Sequence, residues 1–415
     1  MNSFWRIFSL EFIALVRSKA LTMLVAASTA WMLVLPYVIR SDGTVDGSRE
    51  LYVRYSLGGV MLLLVIALVA SATASLARER AEKRLQLTLV RPVSGFTVAL
   101  GKISALVSAG ALVLGLSVIL LGFRIDTSER CHHVLSPEMR PVSVEAEEEY
   151  RRLMSDPKTP PALKKADRSA VLKILEQAAF DRYVSIPTNT TVAWSFPVDR
   201  YAFNGDVSVR MRFSAAFDLK QNVCGEFRLG GCGGAVSNFT HSVVKVPLSG
   251  GSVSDELAFT NKGGKSLLIR SRQDINLLFP ADGMKANLFR LWIVMVSALA
   301  FAISLGVLLS SVLGRPVALF VVLVMLIVSE MSPAAVENYP DPLGAAGFDR
   351  VGLVIAESMN KLMDPVSAMI PLEEFSRNEC VEWYDTARCA AVNLTAFPLA
   401  VSLIALFVLA RKKTD

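Results

Sequence analysis

The sequence predicts a polytopic α-helical membrane protein with six transmembrane helices, plus an inserted extracytoplasmic α+β domain with a β-sandwich-like part. Three observations predict it. The 415 residues are 53% hydrophobic and only 19% charged, with a mean hydropathy of +0.45, whereas soluble domains are nearer a quarter charged. Six apolar stretches approach or exceed the roughly 20 residues that cross a bilayer. Between the third and fourth of them, the pattern changes to strands and turns.

The six stretches are Ala20–Ile39, Leu57–Ala77, Ile103–Phe123, Leu291–Leu313, Pro316–Ser329 and Ala390–Ala410. The fifth rises only about 21 Å at 1.5 Å per residue, short of the hydrocarbon core of about 30 Å. It must therefore run past Glu330 or be completed by neighbouring structure. The chain thus divides into three parts. Residues 1–123 hold an N-terminal surface helix, the first three spans and a cytoplasmic loop at 78–96. Residues 124–290 form the outside domain, helical over 140–183 and β-rich over 184–280. Residues 291–415 hold the last three spans, with an extracytoplasmic segment at 330–389.

Basic flanks set the orientation, because cytoplasmic segments carry the excess of Lys and Arg. With both termini inside, the cytoplasmic segments collect twelve basic and four acidic residues. The outside segment from Glu330 to Cys389 carries four basic and eleven acidic residues instead. A net charge of +6 and a pI near 9.1 would also suit nucleic acid. The basic residues flank apolar runs and do not interleave with aromatics on one face, so topology accounts for them better.

The first 20 residues, MNSFWRIFSLEFIALVRSKA, lack the clean apolar core of a cleavable signal. Arg6 and Arg17 are three helical turns apart and share a face, while Phe4, Phe8 and Phe12 keep another face apolar. This reads as an amphipathic helix on the inner membrane surface; the plainer reading is the frayed start of the first span.

The outside domain opens with helical VEAEEEYRRLM and, beyond a PKTPP break, ALKKADRSAVLKILEQAAFDRYV. From Ser185 the period becomes two. In VSVRMRF, Val207, Val209, Met211 and Phe213 alternate with Ser208, Arg210 and Arg212. TTVAWSFPV, GEFRL, HSVVKVPL, VSDELAF, KSLLIRS and DINLLF are further strand candidates between Gly, Asn and Asp turns. All five cysteines fall outside, where disulfides are permitted. Spacing allows Cys224–Cys232 and Cys380–Cys389, leaving Cys131 over, without proving either.

Between spans two and three lies LARERAEKRLQLTLVRPVSGFTVALGK, Leu76 to Lys102, the one sizeable cytoplasmic loop between spans. RERAEKRLQLTLV suits a short helix that Pro92 ends. VSGF turns, and Lys102 is placed to snorkel to the interface. On charge alone it could be merely an orientation signal. Its residue order, however, resembles the segment between spans two and three of ATP-binding-cassette (ABC) transporter permease subunits of the type-2 exporter class. The matching residues are Glu79, Arg80, Thr88, Leu89, Pro92, Val93, Ser94, Gly101 and Lys102; Leu87 departs from the glycine frequent there. The likeness extends to the surface helix, the six-span layout, SLGVLLSSVLGRPVALFVVLVM and the basic tail. It does not cover residues 124–290.

That resemblance implies a permease half in a bacterial cytoplasmic (inner) membrane, with N- and C-termini cytoplasmic. It would be driven by a separate cytoplasmic ABC ATPase subunit and paired with an identical or different second permease half. The ATPase contact would involve Arg6, Arg78, Glu79, Arg80, Lys83, Arg84, Thr88 and Pro92. By position, MNKLMDPVSAMIPLEEF would match the outer gate helices of relatives, which puts Met369 and Pro371 beside a path. Glu330, an ionisable group near membrane depth, is a candidate for that path too, though at a span's outer end an interfacial role is the plainer one. Asn393 and Pro398 in the last span read as packing and kink residues.

No ATPase motif accompanies this. TNKGGKS mimics the end of a phosphate loop, but Phe259 stands where the first glycine belongs. Cys131-His132-His133 lacks converging partners for a metal, and no nucleophile motif is present. The sequence therefore nominates no catalytic residue, no metal ligand and no cofactor. Two other readings stay open. One is an ATPase-coupled force relay acting on an extracytoplasmic protein partner without moving substrate. The other is an anchor or receptor whose outside domain does the binding.

Overall fold

The computed structural model describes residues 3–39, 45–81, 94–125, 129–137, 142–155, 168, 171–172, 174–175, 185–196, 207–213, 222–240, 243–249, 254–269, 274–337, 352, 354, 358 and 371–411. The chain divides into a helical unit, Met1–Cys131 with Asp282–Asp415, and a strand-rich unit, His132–Ala281.

In the helical unit, α1 (Ser3–Arg17), α2 (Ala20–Val38), α3 (Val45–Ala81) and α4 (Gly95–Gly122) precede the insertion. After it come α6 (Met284–Val312), α7 (Arg315–Glu337), α8 (Leu372–Ser376) and α9 (Trp383–Cys389). A π-helix (Ala390–Ala396) then leads into α10 (Phe397–Arg411). Among the described residues, five helical stretches are long and apolar enough to cross a membrane: Ala20–Val38, Gly47–Ser75, Gly95–Gly122, Met284–Val312 and Trp383–Phe407. The apolar part of α7, Arg315–Val328, is shorter, although the helix continues to Glu337. This is a multi-pass membrane protein with an extra domain.

Why α6 is central follows from its sequence. LWIVMVSALAFAISLGVLLSSV is apolar all round, and such a helix has no face that suits water. It packs against α3, α4, α7 and α10, and 83% of its most apolar window is buried, against 17% for α2. Its buried hydroxyls cost little because each donates to its own helix: Ser297 to Ile293 O at 2.7 Å, Ser304 to Ala300 O at 2.7 Å. Small residues bring neighbours close. A Cβ on Gly110 would lie 2.3 Å from Leu299 Cδ2 and 2.9 Å from Leu68 Cδ1. Close backbone approach of this kind replaces the hydrophobic drive that lipid cannot supply between helices.

Helices α3, α4 and α6 start well before the apolar runs predict. Each continues through polar turns, such as Arg49–Arg54 in α3 and Met284–Arg290 in α6. The VSGF turn resolves into a helix start: the Ser94 hydroxyl accepts from Thr97 N at 3.3 Å and caps α4. α3 carries the chain to Ala81, and the helix expected further along, with its end at Pro92, lies outside the described residues.

Among the described residues, the strand-rich unit contains α5 (Val142–Ser155) and ten strands in chain order, counting the two that cross its borders. They are β1 (Arg130–Leu135), β2 (Ser185–Ile186), β3 (Thr191–Ser195), β4 (Val207–Arg212) and β5 (Asn222–Leu229). Then follow β6 (Cys232–Phe239), β7 (Val243–Leu248), β8 (Glu256–Asn261), β9 (Leu267–Leu268) and β10 (Ile275–Gly283). Two four-stranded sheets, ordered β1-β10-β4-β7 and β3-β8-β5-β6, accompany a two-stranded β2-β9 pair. Period two puts Val207, Val209 and Met211 inside. Phe259 sits 5.0 Å from the Phe213 ring and 4.7 Å from Phe227 at the centre of the core.

Neither expected disulfide forms. Cys380 bonds to Cys131 across a Cα–Cα distance of 5.2 Å, and Cys224, Cys232 and Cys389 keep their thiols. In the β5–β6 ladder Cys224 pairs with Ser237 and Cys232 with Leu229. The two thiols are therefore five positions apart along the hairpin, about 17 Å at strand rise. Cys389 is carried off by α9 and buried among the helices at 1% exposure.

Candidate functional site

The matches singled out in the sequence lead first to Gly101 and Lys102, on the second turn of α4. A Cβ at Gly101 would meet Ile7 Cγ2 at 2.9 Å and Phe8 N at 3.5 Å, so the missing side chain lets α1 lie directly on α4. Lys102 is 2% exposed, and its Nζ is 3.4 Å from Glu11 Oε2 of α1 and 3.4 Å from Ser75 Oγ of α3. α1 covers the ammonium of Lys102, the lysine expected to reach the interface, and supplies it with a carboxylate. Taking an ammonium out of water costs several kcal/mol unless it is paired. Glu11 keeps 21% side-chain exposure. The joint therefore has one dry member and one wet member, and its 3.4 Å contacts are at the long end for hydrogen bonds.

α1 has the expected apolar ladder, with Phe4–Phe8 ring centroids at 6.4 Å and Phe8–Phe12 at 6.0 Å. Arg6 is exposed on it. Arg78, Glu79 and Arg80 lie on the last turn of α3, with side chains outside the described residues, as are Lys83, Arg84, Thr88 and Pro92 altogether. The Lys102 joint thus ties together α1, the α3 end that enters the charged segment, and the α4 start that leaves it.

A second polar joint holds residues 371–383 against α6. Asn287, fully buried, donates to Glu379 O at 2.8 Å and accepts from Val381 N at 2.8 Å. One turn on, Arg290 is 1% exposed; it donates to Val381 O at 2.6 Å, pairs with Asp282, and sits 4.9 Å from the Trp383 ring centroid. Asn378 donates to Arg130 O at 3.3 Å, beside the Cys131–Cys380 bridge. Arg377 pairs with Glu50 at 3.3 Å and Glu373 at 2.5 Å, and Arg49 pairs with Glu129 at 2.5 Å. Pro371 precedes α8 at the head of this segment. Met369 lies outside the described residues, and Glu330 is on α7 with its side chain outside them.

Sequence reading passed over Asn287 and Arg290 because they sat at an assumed domain border. Their i, i+3 spacing on one face of a helix entering an apolar run was the available signal. The last span carries a further irregularity. The π-helical turn at Ala390–Ala396 places Asn393, fully buried, with its amide 3.6 Å from Cys389 Sγ. Phe397 stacks on Phe301 at 4.2 Å just beyond it. Single π turns inside α-helices concentrate at functional positions.

Other candidates are structural. Asn261 Nδ2 donates to Ile186 O, Pro187 O and Lys265 O at 3.0–3.3 Å, and its Oδ1 accepts from Gly263 N at 2.9 Å. The phosphate-loop lookalike is thereby a turn stapled by its own asparagine. Cys131 is bridged, His132 Nε2 lies 3.3 Å from Lys245 Nζ, and no three His, Cys, Asp or Glu among the described residues converge on a metal position. These joints fix positions of helices. No protein-family model, curated protein or solved structure matches the chain, so its function is argued from its own residues.

Proposed function

We propose that this chain is the membrane-spanning permease half of an ATP-driven exporter of the ABC type-2 class. It crosses a bacterial inner membrane six times, with α7 as the fifth crossing and both termini in the cytoplasm. A separate cytoplasmic ATPase binds Arg6 and the 78–96 segment, and a second permease half completes the path. The observation that carries this reading is the Lys102–Glu11–Ser75 joint, which falls on the glycine–lysine pair of the resemblance. A push on residues 82–93 reaches the end of α3 and the start of α4 directly, and the joint passes it to α1. A segment that served only to orient the chain would have no use for a buried cation linking three helices.

A force relay is the second reading, and one observation favours it. The chain leaves the helical unit at Cys131 and re-enters at Asp282. Both points are pinned to it, Cys131 by the bridge to Cys380 and Asp282 by Arg290.

Purification of the wild type from its own membranes, beside a Glu79→Arg/Arg80→Glu/Arg84→Glu variant checked for insertion, tests the reading. An ATP-binding-cassette ATPase recovered with the wild type and lost with the variant is the expected result. No ATPase in either sample would return the charged segment to an orientation signal and move the search to the outside domain.

A further inference from the structure

We propose that the cleft between α1, α2 and α3 binds one acyl chain of an anionic phospholipid, with the headgroup phosphate held by Arg17 and Lys19. The proposal stands on the membrane location alone and is independent of the ATPase.

The cleft follows from residue size. α2 and α3 touch where Trp31 Nε1 donates to Tyr55 O at 3.1 Å, and a Cβ on Gly59 would lie 2.2 Å from that nitrogen. Toward α1 the facing side chains shrink. Ala27 of α2, Ala67 and Ser71 of α3 and Ala109 of α4 line the cleft together with Leu15 and Leu24. They leave a cavity of about 270 Å³. Its one hydroxyl, Ser71 Oγ, donates to Ala67 O at 2.8 Å. No wall group therefore calls for water, and apolar cavities of this kind stay dry or take hydrocarbon.

The turn next to the cavity is charged. Leu15 and Ala20 both line the cavity, and the residues between them include Arg17 and Lys19, both exposed. The turn is preformed: Ser18 Oγ donates to Leu15 O at 2.9 Å and accepts from Ala20 N at 3.4 Å, while Lys19 holds a left-handed φ of 59°. Neither cation forms an ion pair among the described residues, and Glu11, the nearest carboxylate in sequence, is engaged by Lys102. Trp5, Ile13 and Val16 are exposed on α1, at 54%, 46% and 47%. A tryptophan and basic residues at the head of a span mark headgroup depth. Two unpaired cations at that depth over a dry apolar cleft complement a phosphate with a chain beneath it.

The test is native mass spectrometry of the detergent-purified full chain, titrated with phosphatidylglycerol or phosphatidylcholine of the same chain length. Wild type should bind phosphatidylglycerol about thirtyfold tighter, as two interfacial cations together contribute. In Arg17→Gln/Lys19→Gln, which alters exposed side chains only, the preference should vanish while phosphatidylcholine binding is kept. Ala27→Leu/Ala67→Leu, filling the cleft, should weaken both lipids alike. Equal binding of the two lipids by wild type overturns the headgroup assignment. Retained preference in the Gln variant places the anion site elsewhere and also overturns it. Unchanged binding in a folded Leu variant overturns the chain site.

Discussion

The two joints of the helical unit solve the same problem in opposite ways. Around Arg290 every link is short and redundant: two donors to backbone carbonyl and carboxylate, an aromatic ring, a neighbouring asparagine with both amide atoms used, and a disulfide. Around Lys102 the ammonium links three helices, 3.4 Å from both Glu11 and Ser75. The first arrangement holds one geometry. The second has room for small displacements of α1 and α4, since its 3.4 Å contacts already sit at the long end of the hydrogen-bond range. Fixed on one side and yielding on the other is what a unit needs if a push at residues 82–93 is to become motion of defined helices.

Breaking the Arg290 joint should have the largest effect on stability. Arg290→Met leaves the Val381 carbonyl without its donor, at about 1–3 kcal/mol. It also removes the cation–π contact with Trp383, about 2 kcal/mol when desolvated, while Asp282, 57% exposed, turns to water. A thermal melt of the detergent-solubilised protein should show a clearly lowered midpoint. Next comes the bridge: Cys131→Ser/Cys380→Ser opens a loop of sequence separation 249, and removing a native bridge costs about 2–4 kcal/mol. Protease sensitivity of residues 371–383 should rise with it. If both variants melt like wild type, the joint is not the fixed one.

Lys102→Met should behave differently. An apolar side chain of similar length fills the site, and Glu11 can turn to water, so the melt should move by no more than about 1 kcal/mol. If the proposed coupling to an ATPase holds, stimulation of that ATPase should nevertheless be lost. A large stability loss without a functional loss would reverse the assignment of the two joints.

The smallest expected effect is in the strand-rich unit, whose described residues form no comparable joint. Lys262 beside Glu226, at 2.5 Å, holds that carboxyl below the usual carboxylate range, with Arg228 adding to it. The stabilisation is present above the ordinary glutamate pKa of 4.5 and is lost as pH falls through the lowered folded value. Glu226→Gln should slightly lower stability at neutral pH and leave it unchanged in acid, so that the pH dependence seen by circular dichroism as wild type is taken below 4.5 disappears.

Much of this was legible in the sequence where one residue carries its own signal. Alternation at Val207, Val209, Met211 and Phe213 marks β4 without help from elsewhere. The all-apolar α6 likewise announces burial. What was not legible depends on partners far along the chain. β6 looked like a turn because of Gly233 and Gly234, yet a Cβ at Gly234 would lie 2.7 Å from Val246 Cγ1, so the glycine serves sheet packing. Cys380 pairs across 249 residues, and Lys102 finds Glu11 across 91; local spacing favoured the nearer cysteine and carried no sign of Glu11. Span ends were drawn short because polar turns such as Asn287–Arg290 remain helical when protein, not lipid, covers them.

The most direct test of the central claim is a charge exchange across Lys102 and Glu11, read as ATP hydrolysis by the co-purified complex in liposomes. Glu11→Lys and Lys102→Glu should each keep the ATPase bound but abolish its stimulation, and the Glu11→Lys/Lys102→Glu double variant should regain a substantial part of it. Single variants that hydrolyse ATP like wild type, or a double variant no better than either single one, would contradict the joint as the element that couples the surface helix to the spans.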